Sequence, residues 1–201
     1  IADGGHNNFD VGDPCFRQSA FQNGALMVSY APKSQLDMND SFDTLLGPYG
    51  NEGVPFSGPV TNDPVHAHWL WTGREHVFRS TNQGRNPILT KEAHRQHCNI
   101  WYGDGDVNGD GAINGADICD DWKPMGDPGV AGRLTCTNAV TTPAPPFFSA
   151  ACPYGADRAG GTVAAVERTR VDGSTVWAAT STGRVFVSKN ADSPNPAAVA
   201  F

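Results

Sequence analysis

Side chains that carry oxygen recur between Asp106 and Asp117, and glycines separate them. Counted from Asp106, they occupy the first, third, fifth, ninth and twelfth places, and the backbone offers a carbonyl at the seventh. Such oxygens are hard donors and the set includes neither thiolate nor imidazole, so the segment predicts a calcium site rather than a zinc or copper site. The candidate ligands are Asp106, Asn108, Asp110, the carbonyl of Ala112, Asn114 and Asp117.

Two further positions agree with a closed calcium loop. Gly111 stands sixth, where the chain must turn sharply, and Ile113 is an aliphatic eighth residue. A polar turn that binds no ion is the alternative, but it does not explain why glycine, aliphatic and acidic positions all agree. A short helix is predicted from Ala116 to Trp122, and Asn114 could cap it.

The segment resembles the calcium loop of EF-hand proteins, and in detail it looks like one calcium repeat of a bacterial dockerin. The pattern that carries this resemblance is Asp-Val-Asn-Gly-Asp-Gly-x-Ile-Asn-x-x-Asp, with Asp rather than Glu in the last place. A dockerin presents two such loops to its cohesin partner, and this sequence contains one. The resemblance therefore implies calcium as a cofactor with a structural role, and cohesin binding is not carried over.

Four of the five cysteines flank two excursions of the chain. Cys98 and Cys119 bracket the calcium loop, and Cys136 and Cys152 bracket a proline-rich stretch. Each pair is predicted to form a disulfide that stabilises the fold by about 3 kcal/mol, with buried free thiols as the alternative. Cys15 is left as a free thiol or as a link to another chain. Disulfides predict a protein that is secreted or held at the cell surface.

Composition excludes several classes of function. The chain has 201 residues and a net charge of −7, and its 14 Lys and Arg residues are scattered, so no basic stripe is available for nucleic acid. No apolar run approaches the roughly 20 residues that a membrane-spanning helix needs. The 23 glycines and 15 prolines favour a turn-rich, all-β protein. The chain begins at Ile1 without a signal segment, which is typical of a mature or cleaved product.

A repeated hairpin provides the elements that must hold these residues. The stretches 69–84 and 177–192 align without a gap, with Trp69 matching Trp177 and a Val-Phe pair and a Ser-x-Asn turn in the same places. Each copy contains an apolar run, a polar turn, a second apolar run and a tight turn, which predicts a β-hairpin. A repeated supersecondary unit is typical of propellers and solenoids.

The turns that end the two copies resemble the Asp-box, or BNR repeat, of sialidase-like and sortilin-like β-propellers. Ser80-Thr-Asn-Gln-Gly84 keeps the first half of that motif with Asn in place of Asp, and Ser188-Lys-Asn-Ala-Asp192 also departs at its glycine. Neither copy has the aromatic residue that closes the motif. The resemblance implies the blades of a β-propeller. In that family the box is a folding device, so it implies nothing about catalysis.

These elements predict three regions. Residues 1–97 hold N-terminal loops, with a strand at 25–30, and a first blade core built on the hairpin 68–84. Residues 98–159 form an inter-blade insertion that contains the calcium loop 106–117. Residues 160–201 form a second blade core, with Ala197–Phe201 as its fourth strand.

We expect the chain to be part of a larger propeller. Propellers close with about four to eight blades, because closure protects the strand edges, and two blade cores are recognisable here. Further propeller sequence or another protein chain would complete the ring. An independent domain that covers its own edges with long loops is the alternative.

Three functions remain open. The first is a non-catalytic extracellular propeller segment with a structural or binding role, with a glycan as a possible ligand. The second is a glycoside hydrolase of sialidase-like architecture, but no catalytic motif is present and no catalytic residue is assigned. The third is a dockerin-type docking module. A short helix is predicted from Lys91 to Ile100, and it carries His94 and His97 three residues apart. That spacing is one that zinc could use, although a solvated helix face is preferred. Trp69 and Trp177 could stack on sugars, although a core position is preferred.

Overall fold

The structure is a computed structural model of the chain, and it describes residues 5–13, 15–20, 26–29, 43–45, 52–53, 55–98, 103–113, 116–135 and 161–201. Within these residues the protein consists mostly of antiparallel β-sheets, which confirms the all-β prediction, together with one α-helix. That helix, α1, spans Lys91–Cys98. No helix in the described ranges is both long and apolar enough to cross a membrane.

Eleven described strands form three sheets, and in each sheet the strands are neighbours in chain order. Sheet I contains β1 Asn7–Phe9, β2 Arg17–Ala20, β3 Leu26–Ser29 and β4 Asp43–Leu45. Sheet II contains β5 Val60–Asn62, β6 Leu70–Gly73, β7 Val77–Ser80 and β8 Lys123–Pro124. Sheet III contains β9 Val163–Arg168, β10 Val176–Thr180 and β11 Val185–Ser188.

Sheet I is an additional copy of the repeated unit. The strand predicted at 25–30 is confirmed as β3, but a complete meander surrounds it where loops were expected. Ser29, Ser80 and Ser188 each end the third strand of their sheet, and each pairs with the second strand at its start. The strand registers of the three sheets can therefore be aligned residue by residue on these serines.

This alignment of registers corrects the predicted match between Trp69 and Trp177. Ser80 pairs with Leu70 and Ser188 pairs with Val176, so Trp177 is the structural counterpart of Trp71. The ungapped match is wrong by two residues because the hairpin loops differ in length. Residues 74–76 join the two strands in sheet II, whereas residues 180–184 join the equivalent positions in sheet III.

Sheet II is the middle layer and is buried on both faces. Val60, Leu70 and Phe78 pack with Phe16, Ala20 and Val28 of sheet I, and Trp122 completes this cluster. The opposite face carries Trp71 and Val77, which pack with sheet III. The residues from sheet III and the C-terminal segment in that second cluster are Val163, Val166, Val176, Ala178, Ala191 and Val199.

The first strands of the three sheets lie beside one another. The Asn8 side chain donates a hydrogen bond to the Val60 carbonyl, and Thr61 Oγ1 donates to the Val166 carbonyl at 3.0 Å. Gly73 permits the close approach of sheets II and III, because a Cβ there would lie 2.4 Å from Val163 Cγ1. The three sheets are therefore held together by contacts between their first strands.

Two predicted elements are wrong. Ala197–Phe201 is not a strand, because Pro196–Ala198 forms a 3₁₀ helix in which Asn195 Oδ1 accepts a hydrogen bond from the Ala197 amide. The Pro196 carbonyl of this helix accepts a hydrogen bond from the Gly126 amide, and Val199 packs into the core. The helix predicted from Ala116 to Trp122 is also absent, since the described chain there is a turn followed by irregular backbone with one isolated bridge at Asp120.

Candidate metal centre

The predicted calcium loop follows the C-terminal end of α1. Thr90 Oγ1 caps the start of α1 by accepting a hydrogen bond from the Ala93 amide at 3.1 Å. At its other end Cys98 is bonded to Cys119, with 5.7 Å between their Cα atoms, so the predicted disulfide is confirmed. Cys136 and Cys152 lie outside the described residues.

The C-terminal end of the loop is fixed to the turn that follows β7. The Asn86 amide donates to the Cys119 carbonyl at 2.9 Å, and Arg85 forms a bridge with Asp120. The chain then enters β8, which lies inside the predicted insertion 98–159 and completes sheet II by pairing with β7. The loop therefore connects the third and fourth strands of one sheet.

Asp106 organises the first half of the loop. Its Oδ1 accepts hydrogen bonds from the amides of Gly109 and Asp110 at 2.8 and 3.1 Å, and its Oδ2 accepts one from Gly111 at 2.9 Å. Gly109 and Gly111 have φ values of 74° and 82°, which only glycine adopts without strain. The backbone therefore curls around the first predicted ligand.

Asp117 closes the loop onto its beginning. Its Oδ1 accepts from the amides of Val107 and Asn108 at 2.9 and 3.2 Å. The Asn108 side-chain amide donates to Asp110 Oδ2 at 3.1 Å. Four predicted ligands, namely Asp106, Asn108, Asp110 and Asp117, are thus brought together by this loop. Asn114 lies outside the described residues, and Ile113, the aliphatic eighth residue, is 74% exposed.

The donor chemistry of the loop fits a calcium ion, because carboxylate, amide and carbonyl oxygens are the ligands that this ion takes. The carboxylates of Asp106 and Asp117 accept hydrogen bonds from backbone amides. In the described part of the chain, no group of three or more His, Cys, Asp or Glu side chains is arranged to hold a metal ion.

The Ser-x-Asn turns have a shared folding role. Ser80 Oγ accepts from the amides of Asn82 and Gly84 at 3.2 and 2.5 Å and donates to Asp121. In the other copy, Ser188 Oγ accepts from the Asn190 amide at 3.3 Å. The sequence offered no spacing signal for Asp121, which joins the turn from beyond the calcium loop. Burial raises the pKa of the Asp121 carboxyl against the lowering effect of its hydrogen bonds.

The two helix histidines are not a zinc pair. His94 is fully buried, which corrects the prediction of a solvated face, and its ring nitrogens have no hydrogen-bond partner. Burial, assisted by the positive charge of Arg85, lowers the pKa of His94 to about 4. His97 instead bonds through Nδ1 to Asp104 at 2.6 Å. His94 is therefore a neutral core residue at neutral pH.

The glutamates do not form an open pair of carboxylates. Glu75 is buried and pairs with Arg133 Nη1 at 2.5 Å, and Glu52 pairs with His76 Nδ1 at 2.5 Å. Burial raises the pKa of Glu52, but the contacts with His76 outweigh this and lower it overall. A pocket of about 240 Å³ beside the C-terminal 3₁₀ helix contains one carboxylate, Asp127. These described contacts are structural, and none offers the two facing carboxylates of a glycosidase.

The two tryptophans expected in the core have different environments. Trp69 packs against the core between sheets II and III, stacks on His66 at 4.2 Å and lies under the Arg79 guanidinium at 4.7 Å. Trp177 is 45% exposed, so the core prediction is wrong for this residue. It belongs to a face of sheet III that no described element covers.

No family model, no curated protein and no solved structure matches this chain.

Proposed function

We propose that this chain is a non-catalytic segment of a secreted or cell-surface β-propeller, with a structural or binding role. In this proposal sheets I, II and III are consecutive blades. A calcium ion stabilises the loop that joins the last two strands of the middle blade.

One observation carries the proposal. The three sheets are meanders in chain order, their first strands adjoin, and sheets I and II present the same face to the sheet that follows. An independent two-layer domain would leave one face of each sheet towards solvent. Sheet II instead has apolar side chains buried on both faces, as a blade between two blades requires.

Calcium would be held by Asp106, Asn108, Asp110, the carbonyl of Ala112, Asn114 and Asp117. Gathering these oxygens around a cation would replace some amide contacts of Asp106 and Asp117, and it would fix the loop against α1. The Cys98–Cys119 bond supports the extracellular assignment, because such bonds persist in oxidising compartments.

Calorimetry on chelator-stripped protein tests the calcium part of the proposal. One ion should bind per chain, with a dissociation constant of about 0.1–1 mM, as is typical of extracellular sites. Absence of calcium uptake would contradict it. Fluorogenic glycosides test the absence of catalysis, and steady turnover that is abolished by a single carboxylate substitution would favour the glycosidase instead.

A further inference from the structure

Contacts between neighbouring sheets use equivalent positions. Gln18 of sheet I meets Asn62 of sheet II, with 3.0 Å between Nε2 and Oδ1. One sheet further on, the Trp71 ring of sheet II lies 5.9 Å from the Arg168 guanidinium of sheet III. In the aligned strand registers Gln18, Trp71 and Trp177 share one position. Trp177 is thus the third residue of a series whose first two members touch the next sheet.

A second series runs along the first strands. Asn8 and Thr61 occupy equivalent positions, and each donates a side-chain hydrogen bond to the first strand of the next sheet. Glu167 has the corresponding place in sheet III, paired with Trp177. It is exposed, and the described structure gives it no ion pair. A carboxylate there requires a donor from whatever covers it.

A third series consists of small residues that allow close approach. Ala20 and Gly73 are buried against the following sheet, and Ala179 is their counterpart in sheet III. Around Ala179, the outer face of sheet III presents Val185, 64% exposed, and Val187. We define this outer face as Glu167, Trp177, Ala179, Val185 and Val187. It has the composition of a contact face, with one charge among apolar groups.

The opposite end of the stack carries a complementary surface. In β1 and β2, the strands of sheet I whose side chains are described, the outer face carries Asn7, Phe9, Arg17 and Ser19, which alternate with the side chains that face sheet II. Phe9 is 62% exposed and stands where Asn62 and Arg168 stand in the other sheets. Arg17 pairs with Phe9 across the strands; its side chain is partly buried, and its Nη1 is buried without a hydrogen-bond partner.

We propose that the outer face of sheet III binds the outer face of sheet I on a second copy of this chain. Phe9 of one copy would lie against Trp177 of the other, repeating the contact of Arg168 with Trp71. Arg17 and Asn7 would supply the donors that Glu167 needs. The two faces match in charge and in apolar character.

The geometry of this contact leads to a closed pair. The contact joins unlike faces, so each copy retains one of each, and a second identical contact between the same two copies closes the assembly. The result is a ring of six described sheets, three from each copy, within the range of about four to eight that propellers adopt. This inference rests on the proposed propeller arrangement but not on calcium binding. A negative result in calorimetry would therefore leave the pairing standing, and a monomeric mass would leave calcium binding standing.

Light scattering after size-exclusion chromatography tests the pairing on the 201-residue chain. We expect a mass twice that of the 21.3 kDa monomer. Glu167→Arg and Arg17→Glu should each place like charges in both contacts and raise the dissociation constant of the dimer roughly tenfold or more. The double variant E167R/R17E should restore the dimer, because the charges are exchanged.

A charge reversal outside both faces serves as the control. Glu92→Arg, in the exposed first turn of α1, should leave the mass unchanged. Circular dichroism verifies that every variant keeps its β-sheet signal. A monomeric parent protein would overturn the proposal, and so would a dimer that ignores both reversals or a mass that grows without limit as concentration rises.

Discussion

Arg168 and Asp63 form an ion pair whose side chains are both fully buried, and the pair joins sheet III to sheet II. Asp63 Oδ2 also accepts from Trp71 Nε1 at 3.0 Å, and Arg168 extends to Asp192. The contact between the sheets therefore includes a charged centre inside an apolar cluster. Removal of one partner leaves the other charge without compensation in a dry environment.

Arg168→Leu should lower the free energy of unfolding by about 3–5 kcal/mol, as expected when one member of a buried pair is lost. Urea denaturation measures this. The control is Lys189→Leu, because Lys189 is exposed and 3.9 Å from Asp172, and an exposed pair contributes about 1 kcal/mol or less. Equal losses of unfolding free energy in the two variants would contradict a stabilising role for the buried pair.

Trp71→Ala and Phe78→Ala test whether both faces of sheet II are buried. Each truncation should cost about 3–5 kcal/mol of stability, because each leaves a cavity in a different cluster. Trp177→Ala is the matched control, since it removes the same side chain at the equivalent position of sheet III. At concentrations where the chain is monomeric, it should cost about 1 kcal/mol or less. A small effect of either Trp71→Ala or Phe78→Ala would favour a two-layer domain.

His94 should make the protein less stable in acid. Its pKa is about 4 in the folded protein, against 6.5 for an ordinary histidine, because the site is buried and faces Arg85. Between these two values the unfolded chain binds the extra proton. Stability should therefore fall as the pH decreases from 6.5 to 4, by at most about 1.4 kcal/mol per pH unit.

His94→Phe should flatten this part of the dependence of stability on pH, measured by urea denaturation across the pH range. If stability still falls in acid by the same amount in His94→Phe, the assignment is wrong.

Asp120→Asn provides the opposite case. Burial, with repulsion from Asp121, raises the pKa of Asp120 to about 6, so the folded protein binds the extra proton between 3.8 and 6. Asp120 therefore removes stability as the pH rises through that window, and Asp120→Asn should abolish that loss.

Asp106→Ala should abolish calcium-dependent stabilisation. At a calcium concentration ten times the dissociation constant, the parent protein should gain about 1.4 kcal/mol and the variant nothing. Thermal unfolding with calcium and with chelator measures the difference. Asp104→Asn, two residues before the loop, should keep the response, and its loss there would indicate a nonspecific effect of charge. The sheets should retain their circular dichroism signal in both variants.

Replacing Cys98 and Cys119 together by serine should lower stability by about 3 kcal/mol, because the bond restrains residues 21 apart in the unfolded chain. It should also weaken calcium binding, since the base of the loop is no longer fixed. Peptide mapping without reductant detects this bond and tests the predicted Cys136–Cys152 bond. If Cys136 and Cys152 are found as free thiols, that second pairing is wrong.

Local patterns predicted several of the local elements, but not the chain at Ala116–Trp122 or at Ala197–Phe201. The hairpins, α1 and the loop closed by Cys98–Cys119 all follow from turn residues, periodicity and spacing, which act over short stretches of chain. The ligand set of the calcium loop is equally local, and it remains a prediction. Sheet I was missed because its β1 and β2 are short and polar, with sequences Asn-Asn-Phe and Arg-Gln-Ser-Ala.

Relationships between distant residues could not be predicted. The Arg168–Asp63 pair and the bond from Ser80 to Asp121 join residues far apart in sequence, and no spacing rule connects them. The two-residue offset of Trp177 depends on hairpin loop length, which an ungapped alignment ignores. The burial of His94 likewise depends on what packs over α1, and not on the helix itself.

The strand that follows the calcium loop has a consequence for solubility. Sheet II ends at β8, which is only Lys123–Pro124, so its outer edge offers almost no backbone amides for pairing. Proline cannot donate a hydrogen bond, and an exposed lysine charge opposes the approach of another strand. A long loop that returned to a broad, apolar edge would invite fibril growth from the middle of the molecule. Here the excursion ends in a two-residue barrier against aggregation.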